Sequence, residues 1–395
     1  MSQREVVVLS GVRTAVADFG GALKDQPATE LAGKVVAEAV SRSGLAAADV
    51  GHCVIGSVLH GDRRDMYIGR VAALKGGLPV ETPALTVNRL CGSGLQALVS
   101  AAQMILLDDC DAAVAGGAES MSRAPYWLPT ARFGSKMGDV TTVDPMVGVL
   151  TCPIGDIHMG VTAENIAEQF DISREQQDQL ALVSHQRGQR AIEENRFAEQ
   201  ILPIEIKTRK GVKVFAQDEH VRFDCDIESM AKLRPAFKKD GSVTAGNASG
   251  LNDGAAAVVL MEASAAAAKG LKPMAKMLGY ATAGVEPSIM GTGPIPAVRK
   301  LLDKQGLKIE DIDIWESNEA FAAQALSVTN ELALDPEKVN PNGSGIGLGH
   351  PIGATGAIMS IKALYELRRT GGRYAVATMC IGGGQGIAVL FENCP

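Results

Sequence analysis

Two stretches near opposite ends of this 395-residue chain spell out the same unit. Gly44-Leu45, Asp49-Val50 and the apolar Val54-Ile55 are echoed in order by Gly306-Leu307, Asp311-Ile312 and Ile314-Trp315. Val87-Asn88 with Gly92-Ser93-Gly94 returns as Val339-Asn340 with Gly343-Ser344-Gly345, and Ala113-Val114 returns as Ala375-Val376. The offsets run 262, about 251 and 262, so the copies differ only by short loop changes. Order kept over three blocks marks a duplication, and two copies are too few for a solenoid. Within each copy, short Val/Ile/Ala runs alternate with amphipathic stretches. Leu31, Val35, Val36, Ala39 and Val40 fall at helical spacing after Thr29, which is placed to cap that helix. Leu95, Leu98, Val99, Ala102, Ile105 and Leu106 do the same after Gly94. Such alternation predicts an α/β architecture with largely parallel sheets and helices on both faces.

Between the copies, residues 121–247 have a different character. They carry a helical run over 164–195 and place Lys207, Arg209, Lys210 and Lys213 within seven residues. This segment reads as an insertion folding over a site. Its locally basic cluster, in a chain with 45 acidic against 38 basic residues, suits an anionic ligand. The expected division is therefore a first half from 1–120 and 248–272, an inserted domain at 121–247, and a second half at 273–395.

The net charge of −7 argues against broad nucleic-acid binding, which needs a basic face. No apolar run approaches the ~18 residues of a membrane span. The chain passes from its first five residues directly into Val6-Val7-Val8-Leu9, without a signal-peptide pattern. A cytoplasmic protein with no membrane partner is expected. The seven cysteines are odd in number and scattered, with no Cys-x-x-Cys or His-x-x-x-His pair, so neither a disulfide framework nor a metal site is expected.

Four segments carry chemistry. In Asn88-Arg89-Leu90-Cys91-Gly92-Ser93-Gly94, the cysteine stands where a strand gives way to a helix. The free N–H groups and positive end of that helix are expected to lower its thiol pKa. Gly92 and Gly94 leave the sulfur open and let backbone donors approach a bound carbonyl. The run Asn342-Gly343-Ser344-Gly345-Ile346-Gly347-Leu348-Gly349-His350-Pro351 invites a dinucleotide-loop reading. It comes too late in the chain for one and ends in a histidine held between Gly and Pro. Cys380-Ile381-Gly382-Gly383-Gly384 again joins a thiol to available N–H groups after a strand. Asn318-Glu319-Ala320-Phe321 follows a strand ending at Trp315, and its bland reading is Asn318 as a helix cap.

Together these motifs, in this order, resemble the thiolases, the acetyl-CoA acetyltransferase family, along the whole chain. Gly246-Asn247-Ala248-Ser249-Gly250-Leu251-Asn252-Asp253-Gly254 adds to the likeness. The resemblance implies a five-layered α-β-α-β-α fold of two duplicated βαβαβαββ halves. It implies an acyltransferase that condenses acetyl-CoA with an acyl-CoA, or cleaves a 3-oxoacyl-CoA with CoA, through an S-acyl-Cys91 intermediate. An alternative within the family is a broader 3-ketoacyl-CoA thiolase of fatty-acid degradation. By the same resemblance, His350 activates Cys91 and, with a water held by Asn318, forms one oxyanion hole. The N–H groups of Cys91 and Gly382 form the other, and Cys380 removes the α-proton of acetyl-CoA. Arg222 and Ser229 match the adenosine end of CoA, while Leu233, Phe237, Ala245 and Ser249 match the pantetheine channel. His158, Met159, Met290, Ala320 and Phe321 match the surroundings of the acyl group. CoA enters as co-substrate with no further cofactor, and a homotetramer built as a dimer of dimers is implied, with contacts around residues 120–138. A ketoacyl synthase would lack the Cys380 run, and a non-catalytic acyl-CoA carrier would lack one of Cys91, His350 or Cys380.

Overall fold

The computed structural model describes residues 4–209 and 211–394. In the first half, β1 (Val6–Arg13) precedes α1 (Ala28–Ser43), β2 (His52–Gly56), α2 (Ile68–Lys75), β3 (Ala84–Val87), α3 (Ser93–Leu106) and β4 (Ala112–Ser120). The chain then leaves the sheet for α4 (Met159–Gln169), α5 (Arg174–Glu193) and a hairpin of Ile204–Thr208 with Gly211–Phe215. It returns as β5 (Asn252–Glu262). The second half runs β6 (Ala275–Gly284), α6 (Pro294–Gln305), β7 (Ile314–Ser317), α7 (Ala322–Glu331), α8 (Ile352–Thr370), β8 (Tyr374–Ile381) and β9 (Gln385–Asn393).

The strands form one ten-stranded sheet in the order β7-β8-β9-β6-β1-β5-β4-β2-β3, with the two-residue strand Ala17–Asp18 on β5. The halves meet where β1 pairs β6, Val7 opposite Lys276 and Val8 opposite Ala275. The duplication is visible in the pairing. Parallel β2–β3 and β2–β4 recur as a parallel bridge from Trp315 to Val339 and parallel β7–β8. The expectation of largely parallel sheets needs correction, because β1–β5, β4–β5, β1–β6, β6–β9 and β8–β9 are antiparallel. The cause is local: the Gly382–Gly384 turn folds β9 straight back on β8, and the inserted segment returns β5 beside β4. Antiparallel neighbours need no crossover helix.

Helices lie in three layers. α1 and α2 cover the outer face of the first half, α6 and α7 that of the second, and α3 and α8 lie packed together between the two. Three apolar clusters fill the interfaces, one under α1 and α2, one around α3 and α8, and one under α6 and α7. This is the five-layered arrangement that the resemblance implies.

The middle layer is held by glycines. A Cβ at Gly94 would lie 2.6 Å from the backbone nitrogen of Ala357, and one at Gly356 would lie 2.3 Å from that of Leu95. Backbone cannot yield as a side chain can, so α3 and α8 cross this closely only because neither glycine carries a methyl group.

Two local expectations also change. Thr29 does not cap α1. The helix starts at Ala28 after Pro27, whose fixed φ of −61° sets the entry, and Thr29 is buried in the first turn. The run over 164–195 is two helices. Asp171 turns to φ 50°, and Ser173 restarts the chain with a capping box to Gln176.

A methyl group placed in the middle layer should therefore cost about 1–3 kcal/mol or more. Gly356→Ala is expected to lower the urea midpoint accordingly. Gly148→Ala, where nothing lies within 4 Å, should leave it unchanged or slightly raised. Equal midpoints for the two variants would refute the close-contact argument.

Candidate active site

Cys91 sits in a tight elbow between β3 and α3. Asn88 Oδ1 accepts from Leu90 N at 2.9 Å, Ser93 Oγ accepts from Arg89 N at 2.9 Å, and Ser93 Oγ donates to Leu90 O at 2.7 Å. These bonds hold Leu90 at φ 47°, a left-handed conformation unusual outside glycine, and turn the half-buried Cys91 toward the end of β8. A Cβ at Gly92 would stand 2.6 Å from Ile381 Cδ1, so the elbow rests directly on the strand that carries Cys380.

The thiol chemistry differs from the sequence expectation. Burial pushes the Cys91 thiol up, and the N–H groups of Gly382 and of Cys91 itself pull it only part of the way back. Desolvation outweighs the start of α3, so the resting group is a thiol. Cys380 is fully buried; burial raises its thiol well above the ordinary range, and the neighbouring Cys91 adds to the shift. The N–H of Gly382 on the Cys91 sulfur and the influence of Cys91 on Cys380 place Cys91, Cys380 and Gly382 in one neighbourhood.

His350, in the second half, precedes by two residues Ile352, which packs in one cluster with Cys91. Gly349, at φ 96°, lies against Asn252, whose Oδ1 accepts from His350 N at 2.8 Å. Thr355 Oγ1 is 2.7 Å from Nδ1, and Asn318 Nδ2 is 3.4 Å from Nε2. With the Asn318 amide donating to Nε2, the ring proton sits on Nδ1 and faces Thr355. Burial pushes the imidazole down to about 4, so it is neutral and able to accept a proton at neutral pH. Asn318 is not a helix cap: α7 begins at Ala322 with no side-chain cap, and Asn318 stays fully buried in the loop before it.

Cys380 shares a buried cluster with Cys152, Met159, Met290, Ala320 and Phe321, bordered by Phe237 and Ala248. Phe237 stacks on His158 at 4.9 Å between centroids and meets Phe321 edge-on at 6.0 Å. His158 also caps α4, its Nδ1 accepting from Gly160 N at 3.0 Å. Ser249 N donates to Ala320 O at 3.0 Å, which ties that segment to the Asn318 loop. Leu233 packs over Gly246, beside the exposed Ala245. Arg222 and Ser229 are exposed, and Ser229 Oγ donates to Asp226 Oδ2 at 2.7 Å. The basic hairpin packs through Ile204 and Phe215 into the outer cluster of the first half, which also holds Val221. Lys210 lies outside the described residues.

Thr355 and Asn252 escaped the sequence reading as site residues. Asn252 stands in the glycine-rich 246–254 stretch, but nothing in one sequence ties it or Thr355 to His350. No group of His, Cys, Asp or Glu among the described residues could hold a metal ion, and no described helix is long and apolar enough to cross a membrane.

The buried imidazole has a consequence for stability. In the unfolded chain a histidine titrates near ~6.5. The folded form takes up its proton only near about 4. The unfolded state therefore binds more protons between those values, and stability falls as pH drops from about 6.5 toward 4 and is constant in this respect above 6.5. Urea unfolding at pH 7.5 and 4.5 should show a loss smaller by on the order of 2 kcal/mol in His350→Asn than in the parent. An identical loss would mean that His350 is not buried neutral.

The family described as "Thiolase, N-terminal domain" matches residues 6–264, and "Thiolase, C-terminal domain" matches residues 271–393. The chain is 61% identical to beta-ketothiolase BktB of Cupriavidus necator over 391 residues, covering 99% of each. Its fold superposes on the crystal structure of the Bacillus anthracis acetyl-CoA acetyltransferase with a TM-score of 0.96 at 49% identity, over 99% of both chains. Against the human mitochondrial 3-ketoacyl-CoA thiolase in complex with CoA the TM-score is 0.97 at 43% identity, over 100% of this chain and 99% of that one. Two matched domains spanning both halves, and relatives aligned from end to end, establish that this chain belongs to the thiolase family.

Proposed function

We propose that the protein is an acetyl-CoA C-acyltransferase that runs the reversible Claisen condensation of acetyl-CoA with an acyl-CoA, and the CoA-dependent thiolysis of 3-oxoacyl-CoA. The observation that supports this reading is the buried surroundings of Cys91, which receives the Gly382 N–H, influences the Cys380 thiol and packs in one cluster with Ile352, two residues after the neutral imidazole of His350. At rest Cys91 and Cys380 are protonated and His350 is neutral. His350 Nε2 takes the Cys91 proton as sulfur attacks the thioester carbonyl, and the N–H groups of Cys91 and Gly382 receive the developing oxyanion. Collapse leaves acyl-Cys91, and the Cys380 proton goes to the departing CoA sulfur. Cys380 is then a thiolate and withdraws the α-proton of acetyl-CoA. The enolate oxygen is met by His350 and by a water held by Asn318. The carbanion attacks acyl-Cys91, and the Cys91 sulfur recovers its proton from His350 as the 3-oxoacyl-CoA leaves. Protons balance over the cycle, and CoA as co-substrate is the only further molecule that this scheme uses.

In this reading, residues 121–247 form the segment that binds CoA and carries oligomer contacts between halves at 1–120 with 248–272 and at 273–395. Arg222 and Ser229 meet the adenosine end, Leu233, Phe237, Ala245 and Ser249 the pantetheine arm. His158, Met159, Met290, Ala320 and Phe321 surround the acyl group. A cytoplasmic homotetramer belongs to this reading, and its subunit interface is supported by Phe133 and Met137, 94% and 95% exposed, in the same segment as exposed Tyr126 and Trp127. Apolar groups grouped in this way mark an interface.

Cys91→Ala should abolish both directions, and mass spectrometry after acetyl-CoA exposure should find the acetyl group on Cys91 of the parent enzyme. Label on another residue would sink the assignment. Cys380→Ala should still be acetylated at Cys91, more slowly, yet fail to condense and fail to exchange the acetyl α-protons with deuterated water. Persistent exchange near the parent rate would leave Cys380 as scaffold only.

A further inference from the structure

Asn252 holds the backbone of His350, and side chains from two other parts of the chain hold Asn252. Its amide is fully buried at the start of β5, in register with Asp18 on the two-residue strand Ala17–Asp18. Nδ2 donates to Ala17 O at 3.1 Å and to Asp18 Oδ1 at 3.4 Å, and Oδ1 accepts from His350 N at 2.8 Å. A reversed amide would set its oxygen against two acceptors and its nitrogen against the His350 N–H. Both sides of the link would then be lost.

Asp18 is held in turn from the inserted segment. His220 Nδ1 hydrogen-bonds Asp18 Oδ1, and Asp18 N donates to Glu219 Oε2 at 3.1 Å. The His220 hydrogen bond keeps the Asp18 carboxyl below its ordinary range, so it is ionised at neutral pH. An ionised oxygen is a stronger acceptor for the Asn252 amide than a neutral one. Glycine makes room for the imidazole: a Cβ at Gly250 would lie 2.4 Å from His220 Cε1 and 2.9 Å from Asn252 Oδ1.

We propose that Asp18 and His220 are positioning residues for His350, acting through the Asn252 amide to set where the imidazole stands. The dyad draws the first half and the inserted segment onto the one backbone donor that fixes His350 in the second half. This inference rests on the proposed role of His350 toward Cys91. A small displacement of a reacting group costs rate far more than binding, so the loss belongs in the chemical step.

The test is single-turnover acetylation of Cys91 by acetyl-CoA at pH 7.5, followed by mass spectrometry on the full-length protein. Asp18→Ala should lower the limiting rate about tenfold or more, with the half-saturating acetyl-CoA concentration within about twofold of the parent. Asn252→Ala should lose at least as much, and adding Asp18→Ala to it should cost less than about twofold more, because the two act in one line. His220→Leu should lose about fivefold, while His220→Asn, whose amide keeps a donor near the place of Nδ1, should stay within about twofold of the parent. Should Asp18→Ala not fold, the two His220 variants decide alone. Rates near the parent in Asp18→Ala and His220→Leu, full additivity with Asn252→Ala, a loss confined to half-saturation, or equal rates for His220→Leu and His220→Asn would each overturn the dyad. A parent protein that takes no acetyl group on Cys91 would instead refute the proposed reaction, whereas normal acetylation of the parent with indifferent variants would refute the dyad alone.

Discussion

The contact between the backbones of α3 and α8 at Gly94 and Gly356 is the constraint on which the rest of the molecule depends. α3 starts two residues after Cys91, and α8 starts two residues after His350. Bringing these helices together without side chains between them brings the Cys91 elbow of one half beside the start of α8 in the other. Gly117 repeats the device at the sheet, where a Cβ would lie 2.0 Å from the carbonyl oxygen of Gly353. Close backbone approach here costs packing volume and gains position.

Polar bonds then fasten what the glycines bring together. Glu119, at the end of β4, accepts from Gly353 N at 2.9 Å in the first turn of α8, and from Val58 N and Leu59 N in the first half. Burial pushes its carboxyl up to about 8 against these three donors. In the second half Lys362 meets Glu316 at 2.7 Å and also donates to the carbonyl of Gly343, ahead of the histidine. Buried ion pairs rarely add net stability, because desolvation offsets attraction. Here the pair ties α8 to β7 and to the turn that precedes His350.

The same burial keeps the resting site electrically quiet. Two thiols are pushed up and one imidazole is pushed down, so none of the three is charged at neutral pH. In the proposed reaction, charge would develop where the N–H groups of Cys91 and Gly382 face it, which is the arrangement in which preorganised donors lower a barrier most.

The amino-acid sequence by itself determined the duplication, the placement of most strands and helices, and the four segments that supply Cys91, Asn318, His350 and Cys380. Those features are written in local periodicity, turn residues and repeated spacing. Tertiary structure decided the rest. The direction of the Cys91 shift reversed because burial, a property of the whole fold, outweighs one helix end. The sheet became largely antiparallel because the route of the inserted segment and a glycine turn choose each strand's neighbour. Thr355 and Asn252 joined His350, and His220 joined Asp18, through contacts between residues far apart in the chain or on different elements, and no spacing in a single sequence encodes those distances. Chemistry can be read from residue types, but proton affinity and alignment depend on solvent exclusion and long-range packing, which exist only once the chain has folded.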